Sequence, residues 1–277
     1  MNTSNPTASP AISAPTKAAC ATCSVYRAAN LKRLGVAVET WDYVVALAGN
    51  PNTGKSTVFN ALTGLRQHTG NWPGKTVTRA EGGYEHDGKR FKLVDLPGTY
   101  SLLAASLDEQ IARDFILFGQ PDVTVIVADA TRLERNLNLA LQVLEITDRA
   151  VVCLNLMDEA MRHGIKVDER QLARDLGVPV VAASARFGKG LPELLQAISD
   201  VASSKIVCRP HRLETEPAAI KPALADLVSQ LKTAFPALPN PRWVALRLLG
   251  GDDTILEALR SGGLATLHTL PPAEAAP

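Results

Sequence analysis

Nine residues near the start of the chain constrain it more than any other stretch. They read Gly49, Asn50, Pro51, Asn52, Thr53, Gly54, Lys55, Ser56 and Thr57, and they fit the pattern G-x-x-x-x-G-K-[ST]. Glycine at the first and sixth positions allows tight turns and a close approach of the backbone to a ligand. When such a loop connects a strand to a helix, its backbone N–H groups point at a phosphate. The pattern therefore predicts a nucleotide phosphate site, provided that a strand and a helix flank it.

The flanking residues have the composition that this site requires. Residues 41–48 form a short apolar run that is typical of a buried strand, and residues 58–62 begin a segment with apolar residues on one face. In that setting we expect Lys55 to contact the β- and γ-phosphates and the Ser56 hydroxyl to bind Mg²⁺. A chance match in a glycine-containing turn is the competing interpretation, and the flanking segments count against it.

Strand-like and helix-like segments alternate along the next 140 or so residues. Residues 77–85 and 89–94 have period-2 patterns, and Asp87-Gly88 between them predicts a hairpin; residues 68–75 read as a loop because turn formers dominate them. Further strands are predicted at 122–129, 150–154 and 178–182, and helices at 108–118, 133–146, 167–176 and 191–202. The order predicts an α/β fold: a mostly parallel sheet with one antiparallel edge and helices on both faces.

Changes in composition suggest the domain boundaries. We expect an N-terminal arm over residues 1–40, largely disordered but with a short helix near 28–34, and a nucleotide-binding domain over 41–208. Three prolines mark a linker over 209–222, a small helical domain follows over 223–270 with Asp252 or Asp253 capping its last helix, and 271–277 form a disordered tail.

Composition excludes several classes of protein. The formal net charge of +1 gives no sign of a nucleic-acid partner. No apolar run approaches the ~20 residues of a membrane span, and there is no signal-peptide pattern. Four cysteines are too few for a disulfide framework in this length. Cys20 and Cys23 form a lone C-x-x-C that suits half a metal site, a redox pair or two ordinary thiols, since a zinc site needs four ligands. We expect a cytoplasmic protein.

A second motif, Asp95, Leu96, Pro97 and Gly98, ends the second hairpin strand. An aspartate at this position holds Mg²⁺ through a water molecule, and the Gly98 N–H can meet a γ-phosphate. A plain Asp-x-Pro-Gly turn would be the better interpretation if the phosphate loop were absent.

Two further motifs follow later strands, at the sheet edge where open α/β sheets bind ligands. They are Asn155, Leu156, Met157 and Asp158, and then Ser184, Ala185 and Arg186. A carboxylate at Asp158 can accept two hydrogen bonds from the N1–H and N2–H₂ groups of guanine, which adenine cannot offer. The Ala185 N–H is a candidate donor to guanine O6. Taken alone, the first of these motifs would be interpreted as a helix cap, and the second would indicate no function.

Taken in order, these motifs resemble those of Ras-like GTPases. That resemblance implies GTP and GDP as ligands, and either Thr76 or Thr78 as the threonine that binds Mg²⁺ only in the triphosphate state. Leu156 stands where many such proteins have a lysine against the base, which favours fast nucleotide exchange. Thr99 replaces a water-orienting glutamine, which favours slow hydrolysis by the isolated domain.

The segments 71–77 and 95–102, together with Gly49-Asn-Pro-Asn52 and Asn155-Leu-Met-Asp158, closely resemble the cytosolic G domain of the FeoB family of bacterial ferrous iron transport proteins. The likeness runs from about residue 43 to 202, and residues 243–249 resemble the family's helical spacer domain. It implies that Thr76 is the switch I threonine and that Asn52 holds a K⁺ that stimulates hydrolysis. The implied catalytic set is Lys55, Asn52, Thr76 and Gly98, with Ser56, Thr76 and Asp95 for Mg²⁺.

In that family a long membrane domain follows, whereas this sequence ends at Pro277. A fragment of a longer protein and a stand-alone G domain with a separate permease both fit, and the second is our expectation. The expected partners are a FeoB-type permease, in cis or in trans at the inner face of the membrane, and a second copy of the chain, but no nucleic acid. The alternative functions are an RNA- or ribosome-associated GTPase, which should carry a basic appended domain, and a nucleotide-gated interaction module.

Overall fold

The computed structural model describes residues 24–38, 40–64, 67–103, 105–212, 216–236 and 238–260. The first part of the predicted arm, with Cys20 and Cys23, lies outside these residues, as does the tail over 271–277.

Seven strands form one sheet in the order β2-β3-β4-β1-β5-β6-β7. The strands are β1 (Tyr43–Gly49), β2 (Gln67–Asn71), β3 (Thr78–His86), β4 (Lys89–Asp95), β5 (Val123–Asp129), β6 (Ala150–Asn155) and β7 (Val180–Ala182). Strands β4, β1, β5, β6 and β7 run parallel, and β3 and β2 extend one edge antiparallel. The predicted fold class is confirmed, because this is a mostly parallel sheet with an antiparallel edge.

The central strands are apolar along their whole length because helices cover both faces of the sheet. Every residue of β5 and β6 is buried. The β3–β4 hairpin turns at Asp87 and Gly88, where φ is 50° and 67°. Positive φ at both central residues gives the turn a twist that matches the strands. The predicted hairpin is confirmed.

The prediction of a loop over residues 68–75 is wrong in its first half. Residues 67–71 form the edge strand β2, which pairs with β3 from Gln67 opposite Gly82 to Asn71 opposite Thr78. An edge strand is paired on one side only, so it tolerates glycine and asparagine that would weaken a central strand. The turn formers act only from residue 72 onward, between β2 and β3.

Ten α-helices of the described residues surround or follow the sheet. They are α1 (Ser24–Arg33), α2 (Lys55–Thr63), α3 (Leu107–Asp114), α4 (Leu133–Ile146), α5 (Met157–Arg162), α6 (Glu169–Leu176), α7 (Leu191–Ala202), α8 (Lys221–Ala234), α9 (Pro241–Leu249) and α10 (Asp253–Arg260). Side-chain caps begin several of them; for example, Ser106 accepts from the Glu109 N–H and Asp168 from the Gln171 N–H.

The helix predicted over 108–118 differs from the structure. Helix α3 ends at Asp114, and a single π-helical turn over Phe115–Gly119 replaces the rest. Phe115, Ile116 and Leu117 are consecutive and all buried. Consecutive burial also occurs within α3, at residues 111–113, so the apolar pattern over 108–118 does not distinguish a π-helical turn from a continued α-helix.

The last three helices form a small unit that contacts the domain containing the sheet. The Asn240 side chain caps α9 and donates to the carbonyl oxygens of Glu145 and Ile146, at 2.7 and 3.1 Å. Arg113, from α3, donates to the Thr254 hydroxyl at 2.8 Å. Asp252 accepts from the backbone N–H groups of Thr254 and Ile255, so it is the cap of α10. Within the described ranges, no helix combines the length and apolar character that crossing a bilayer demands.

Candidate functional site

The phosphate loop connects β1 to α2 as the sequence predicts. Strand β1 ends at Gly49 and α2 begins at Lys55. Asn52 and Gly54 have positive φ values of 66° and 78°, which curls the chain between them. The Thr53 hydroxyl donates to the Asn50 carbonyl oxygen at 3.0 Å and holds the loop from inside. The first N–H groups of α2 therefore lie beside a curled backbone, which suits an anion.

Two positions of the loop have no room for a side chain. A Cβ at Gly49 would lie 2.7 Å from the Val127 carbonyl oxygen, and one at Gly54 would lie 2.4 Å from the Asn155 side-chain nitrogen. Both glycines are thus fixed by close neighbours, on β5 and at the end of β6, and Gly54 is fixed by its positive φ as well. The loop is packed against β5 and against the loop after β6.

Lys55 and Asp95 form an ion pair at the centre of the site. Burial raises the pKa of the Asp95 carboxyl, although the Lys55 ammonium group beside it acts in the opposite direction. Because an opposite charge lowers a carboxyl pKa and burial raises it, the direction shows that burial dominates here. Among the described residues, Lys55 is the ion-pair partner of Asp95. A bound phosphate would offer a new partner to the Lys55 ammonium group, and a bound cation would offer one to Asp95.

The residues after Asp95 lie against the phosphate loop. The Leu96 N–H donates to the Leu47 carbonyl oxygen at 3.0 Å, and the Thr99 N–H donates to that of Gly49 at 3.3 Å. A Cβ at Gly98 would lie 3.5 Å from the Cα of Pro51. The second predicted motif, including Pro97, is therefore next to the first, at the carboxyl ends of β4 and β1.

Asn155 connects three of the predicted motifs. Its side-chain nitrogen donates to the Thr53 carbonyl oxygen at 3.0 Å, and its side-chain oxygen accepts from the Ala185 N–H at 3.1 Å. Both bonds are buried. The Ala185 N–H is thus engaged within the protein, and the predicted bond from it to guanine O6 requires that it leave Asn155.

The base-recognition residues lie at the start of α5 and just after β7. The Asp158 N–H donates to the Ser184 hydroxyl at 3.1 Å, and the Met157 N–H donates to the Ala183 carbonyl oxygen at 3.2 Å. Leu156 has a φ of 62°, and this left-handed turn carries the chain from β6 into α5. The Asp158 carboxylate is half-buried and its ionic neighbour is Arg162, 3.5 Å away on an exposed side chain. The Asp158 carboxylate is therefore accessible as a hydrogen-bond acceptor. The guanidinium of Arg186, the last residue of the other motif, lies 5.9 Å from the ring centre of Phe187.

The predicted magnesium ligands lie on three different elements. Ser56 is exposed on the first turn of α2. Thr76 is exposed on the turn between β2 and β3, and Thr78 is the first residue of β3, opposite Asn71. Asp95, the third predicted ligand, is paired with Lys55 of the phosphate loop. The predicted assignment of Thr76 therefore remains a prediction.

A groove of about 300 Å³ beside the phosphate loop has a wall that the sequence did not indicate. Its lining includes Tyr100 and, from the segment after β5, Arg132 and Arg135. The Arg135 guanidinium lies 4.2 Å from the Tyr100 ring centre. The side chain of Asn50, a buried residue on the same groove, has neither its nitrogen nor its oxygen hydrogen-bonded among the described residues. No motif marks these arginines, so only the fold could reveal them.

Two family models match the chain. The model described as "Ferrous iron transport protein B" covers residues 43–198, and the one described as "FeoB cytosolic helical domain" covers residues 217–270. The Fe(2+) transporter FeoB proteins of Escherichia coli K12 and of Salmonella typhimurium LT2 are each 41% identical over 214 residues. The alignment covers 75% of this chain and 27% of each relative, so the chain spans about a quarter of their length.

Solved structures of FeoB domains are also similar to this chain. The G domain of T. maritima FeoB is 44% identical with a TM-score of 0.55, over 58% of this chain and 98% of that one. The cytosolic domain of the same transporter in a GDP form is 37% identical with a TM-score of 0.71, over 84% and 88%. The cytosolic domain of L. pneumophila FeoB is 36% identical with a TM-score of 0.71, over 82% and 89%. The chain, with its G domain and helical domain, belongs to the FeoB family of ferrous iron transport proteins.

Proposed function

We propose that this chain binds and hydrolyses GTP as the switch of a bacterial ferrous iron uptake system. One observation carries the proposal: Asn155 bonds to both Thr53 and Ala185. Through these two bonds the phosphate loop and both base-recognition segments form one site at the carboxyl edge of the sheet, where ligands of such sheets bind. The matched relatives are named Fe(2+) transporters, which supports the choice of ferrous iron.

Each end of the nucleotide has its own recognition residues. The backbone N–H groups of residues 49–57 and the Lys55 ammonium group bind the phosphates, and Lys55 exchanges its ion pair with Asp95 for this purpose. The Asp158 carboxylate accepts from N1–H and N2–H₂ of guanine, and adenine would leave this charge unpaired. Leu156 supplies no ammonium group against the base, which favours fast release of GDP.

The donors available for a divalent cation suit Mg²⁺. They are the hydroxyl groups of Ser56 and Thr76 and the carboxylate of Asp95, all oxygen atoms, and Mg²⁺ prefers oxygen ligands together with water and phosphate. These residues would hold the ion, which would supply positive charge to offset the negative charge that develops on the phosphates. Thr76 belongs to an exposed turn outside the β2–β3 ladder, so it is freer than Thr78 to approach the phosphates.

Hydrolysis by this chain alone should be slow. Thr99 is buried, with 5% of its surface exposed, so it does not offer a side chain to orient the attacking water. The Gly98 N–H is left to bind the γ-phosphate, and the exposed Asn52 offers a side-chain oxygen to a K⁺ beside the phosphates. Such a cation would do what an arginine finger does elsewhere.

The membrane partner and the location follow from the same family. We infer that the chain acts with a FeoB-type permease, in cis or in trans, at the cytoplasmic face of the membrane. The chain aligns with 27% of the relatives' length, and the solved structures it resembles are of the G domain and the cytosolic domain. The exchange of GTP for GDP would be the signal that passes to the permease.

A nucleotide-binding comparison tests the proposal. GTP and GDP should bind the full chain at least a hundredfold more tightly than ATP in a fluorescence competition assay, and slow release of phosphate should accompany GTP. Lys55→Ala should abolish phosphate recognition, while Lys189→Ala, which removes a charge after β7, should not. Equal binding of ATP and GTP would refute the proposed function.

A further inference from the structure

The chain has a folded segment before the residues that the G-domain model matches. Helix α1 ends in a Schellman motif: the Val36 N–H donates to the Leu31 carbonyl oxygen and the Gly35 N–H to that of Lys32, both at 2.9 Å. Gly35 supplies the left-handed residue, with a φ of 83°. Leu31 and Val36 are buried, at 3% and 0% exposure. Residues 31–36 are therefore packed onto the G domain, and we call residues 31–38 together with 40–41 the N-terminal clasp.

Arg79, near the start of β3, binds the segment that ends α1. Its guanidinium donates to the carbonyl oxygens of Leu34 and Gly35, at 2.9 and 2.8 Å. Leu34 and Gly35 directly follow Arg33, the last residue of α1, so the guanidinium lies at the helix end that carries partial negative charge. Glu81 lies 2.8 Å from the Arg79 side chain and also contacts Lys92 at 2.6 Å, so the arginine is held from the G-domain side too.

The same arginine connects the N-terminal clasp to the turn that carries Thr76. Its guanidinium lies 5.3 Å from the centre of the Trp72 ring. Trp72 is buried, and its backbone closes the turn: its N–H donates to the Val77 carbonyl oxygen at 3.0 Å, and its carbonyl oxygen accepts from the Lys75 N–H at 2.9 Å. A displacement of Arg79 would therefore change the packing of Trp72, whose backbone hydrogen bonds close the turn over residues 72–77.

Close packing at two glycines shows that the N-terminal clasp fits the G domain tightly. A Cβ at Gly35 would lie 2.6 Å from the Arg79 guanidinium and 2.7 Å from Pro73, on the turn itself. A Cβ at Gly83 of β3 would lie 2.1 Å from the Trp41 ring. Neither position accepts a side chain without displacing the clasp.

The Trp72 side chain also contributes a destabilising term to this arrangement of the turn. Its indole N–H is buried and has no hydrogen-bond acceptor among the described residues. A buried donor without an acceptor destabilises the arrangement that leaves it unpaired. In this arrangement the Thr76 side chain is exposed, and packing against Arg79 and the clasp stabilises the turn that carries it.

We propose that Arg79 and the N-terminal clasp are positioning elements that restrain switch I, the turn over residues 72–77, in its GDP-bound arrangement. This inference rests on the proposed function, because it gives Thr76 its role with the triphosphate. Engagement of Thr76 with a bound triphosphate loosens the contact between Arg79 and the carbonyl oxygens of Leu34 and Gly35. By reciprocity, loosening that contact favours the triphosphate.

The test uses the full chain and measures the affinities of GDP and of the non-hydrolysable analogue GMPPNP by competition. Gly35→Ala and Arg79→Met should each raise the ratio of GMPPNP affinity to GDP affinity at least threefold. Gly88→Ala is the matched control: its φ of 67° imposes the same kind of backbone strain, but no atom lies within 4 Å of the added Cβ. It should leave the ratio unchanged.

A second measurement needs no substitution. Hydrogen exchange of the Gly35 and Val36 amides in the unmodified chain should be faster with GMPPNP than with GDP, whereas that of the buried strand β5 should not differ. A purely structural role for the N-terminal clasp predicts equal exchange with both nucleotides and an unchanged affinity ratio, and either result overturns the inference. If the chain binds both nucleotides but shows no such difference, the inference alone fails; if it binds neither, the proposed function fails as well.

Discussion

The side-chain nitrogen of Asn155 donates to the carbonyl oxygen of Thr53 at 3.0 Å, across 102 residues of sequence. The bond is buried, and Thr53 belongs to the phosphate loop. Asn155 thus holds the base-recognition segment against the phosphate loop instead of pointing at solvent. The same side chain also accepts a hydrogen bond from the Ala185 N–H through its oxygen. Asparagine suits this position because its amide group donates and accepts at once.

Replacing Asn155 with alanine should therefore weaken the whole site. We expect Asn155→Ala to lower the affinity for GDP and GTP alike by roughly tenfold to a hundredfold and to reduce the free energy of unfolding by about 1–3 kcal/mol, since it leaves two buried backbone groups unpaired. Isothermal titration calorimetry and chemical denaturation measure the two effects. Gln196→Ala is the control, because it removes an exposed side-chain amide bonded to Asp200 at 2.9 Å. A loss confined to one nucleotide would contradict this role.

Asp158 should decide which base is bound. Asp158→Asn should lose GTP affinity and gain affinity for xanthosine triphosphate, whose base has an acceptor where guanine has a donor. The backbone of residue 158 bonds to the Ser184 hydroxyl through its N–H, so the substitution should leave the fold intact. Competition between the two nucleotides measures the exchange of preference. Retention of GTP preference by the variant would remove Asp158 from the base site.

The magnesium threonine can be identified by comparing two neighbours. Thr76→Ala should spare GDP binding and slow Mg²⁺-dependent GTP hydrolysis, because its hydroxyl is proposed to act only with the triphosphate. Thr78→Ala is the matched control, since Thr78 is also exposed but begins a paired strand. Single-turnover phosphate release measures both. If Thr78→Ala alone slows hydrolysis, the assignment of switch I is displaced by two residues.

Sequence patterns predicted the sheet and the motif positions well because these depend on local rules. Glycines, a P-loop lysine and buried strands have fixed spacings, and a hairpin at Asp87-Gly88 needs only two residues of the right kind. Edge strand β2 was missed because its residues include turn formers, and only pairing with β3 makes a strand of them. The π-helical turn after Asp114 was missed because it depends on how much apolar surface the core can cover.

Long-range contacts in the site could not be read from the sequence for a related reason. The pairs Asn155–Thr53 and Arg135–Tyr100 join segments that nothing in their local sequence connects. Burial of Thr99 likewise depends on the packing around it. In these cases the residue type was visible, but its partner was set by the topology of the sheet.

Asp252 should stabilise the contact between α3 and the helical unit in a pH-dependent way. Burial acts to raise its carboxyl pKa, but hydrogen bonds from Thr254, Arg247 and the Ile255 N–H, with the charge of Arg113, outweigh burial and hold the pKa below its usual value. A lowered pKa contributes stability that is present above the ordinary value of 3.8 and is lost as the pH falls through the folded-state value.

Asp252→Asn should accordingly reduce the free energy of unfolding by about 1–3 kcal/mol at pH 7, and the difference from the unmodified chain should shrink below pH 3.8, the ordinary value. Asparagine keeps an acceptor for the helix cap, so the change isolates the charge. Chemical denaturation at several pH values measures this. Asp253→Asn, at the exposed next position, should change stability by less. A pH-independent loss at Asp252 would show that the charge is not the cause.

A monovalent cation is the last element of the proposed hydrolysis. Asn52 lies in the phosphate loop with an exposed side chain and a φ of 66°, and we propose that its side-chain oxygen binds K⁺ beside the phosphates. GTP hydrolysis should therefore be faster in K⁺ than in Na⁺ at equal ionic strength, which keeps screening constant. The alternative is that asparagine is present only because it tolerates a left-handed conformation.

Asn52→Gly separates these two explanations. Glycine adopts a φ of 66° without strain, so the loop keeps its shape while the side-chain oxygen is lost. If Asn52 holds K⁺, the variant should hydrolyse GTP equally slowly in both salts and bind GDP with nearly unchanged affinity. If the conformation alone matters, the variant should keep any K⁺ dependence that the unmodified chain shows. Equal rates in K⁺ and Na⁺ for the unmodified chain would refute a K⁺-selective site at Asn52.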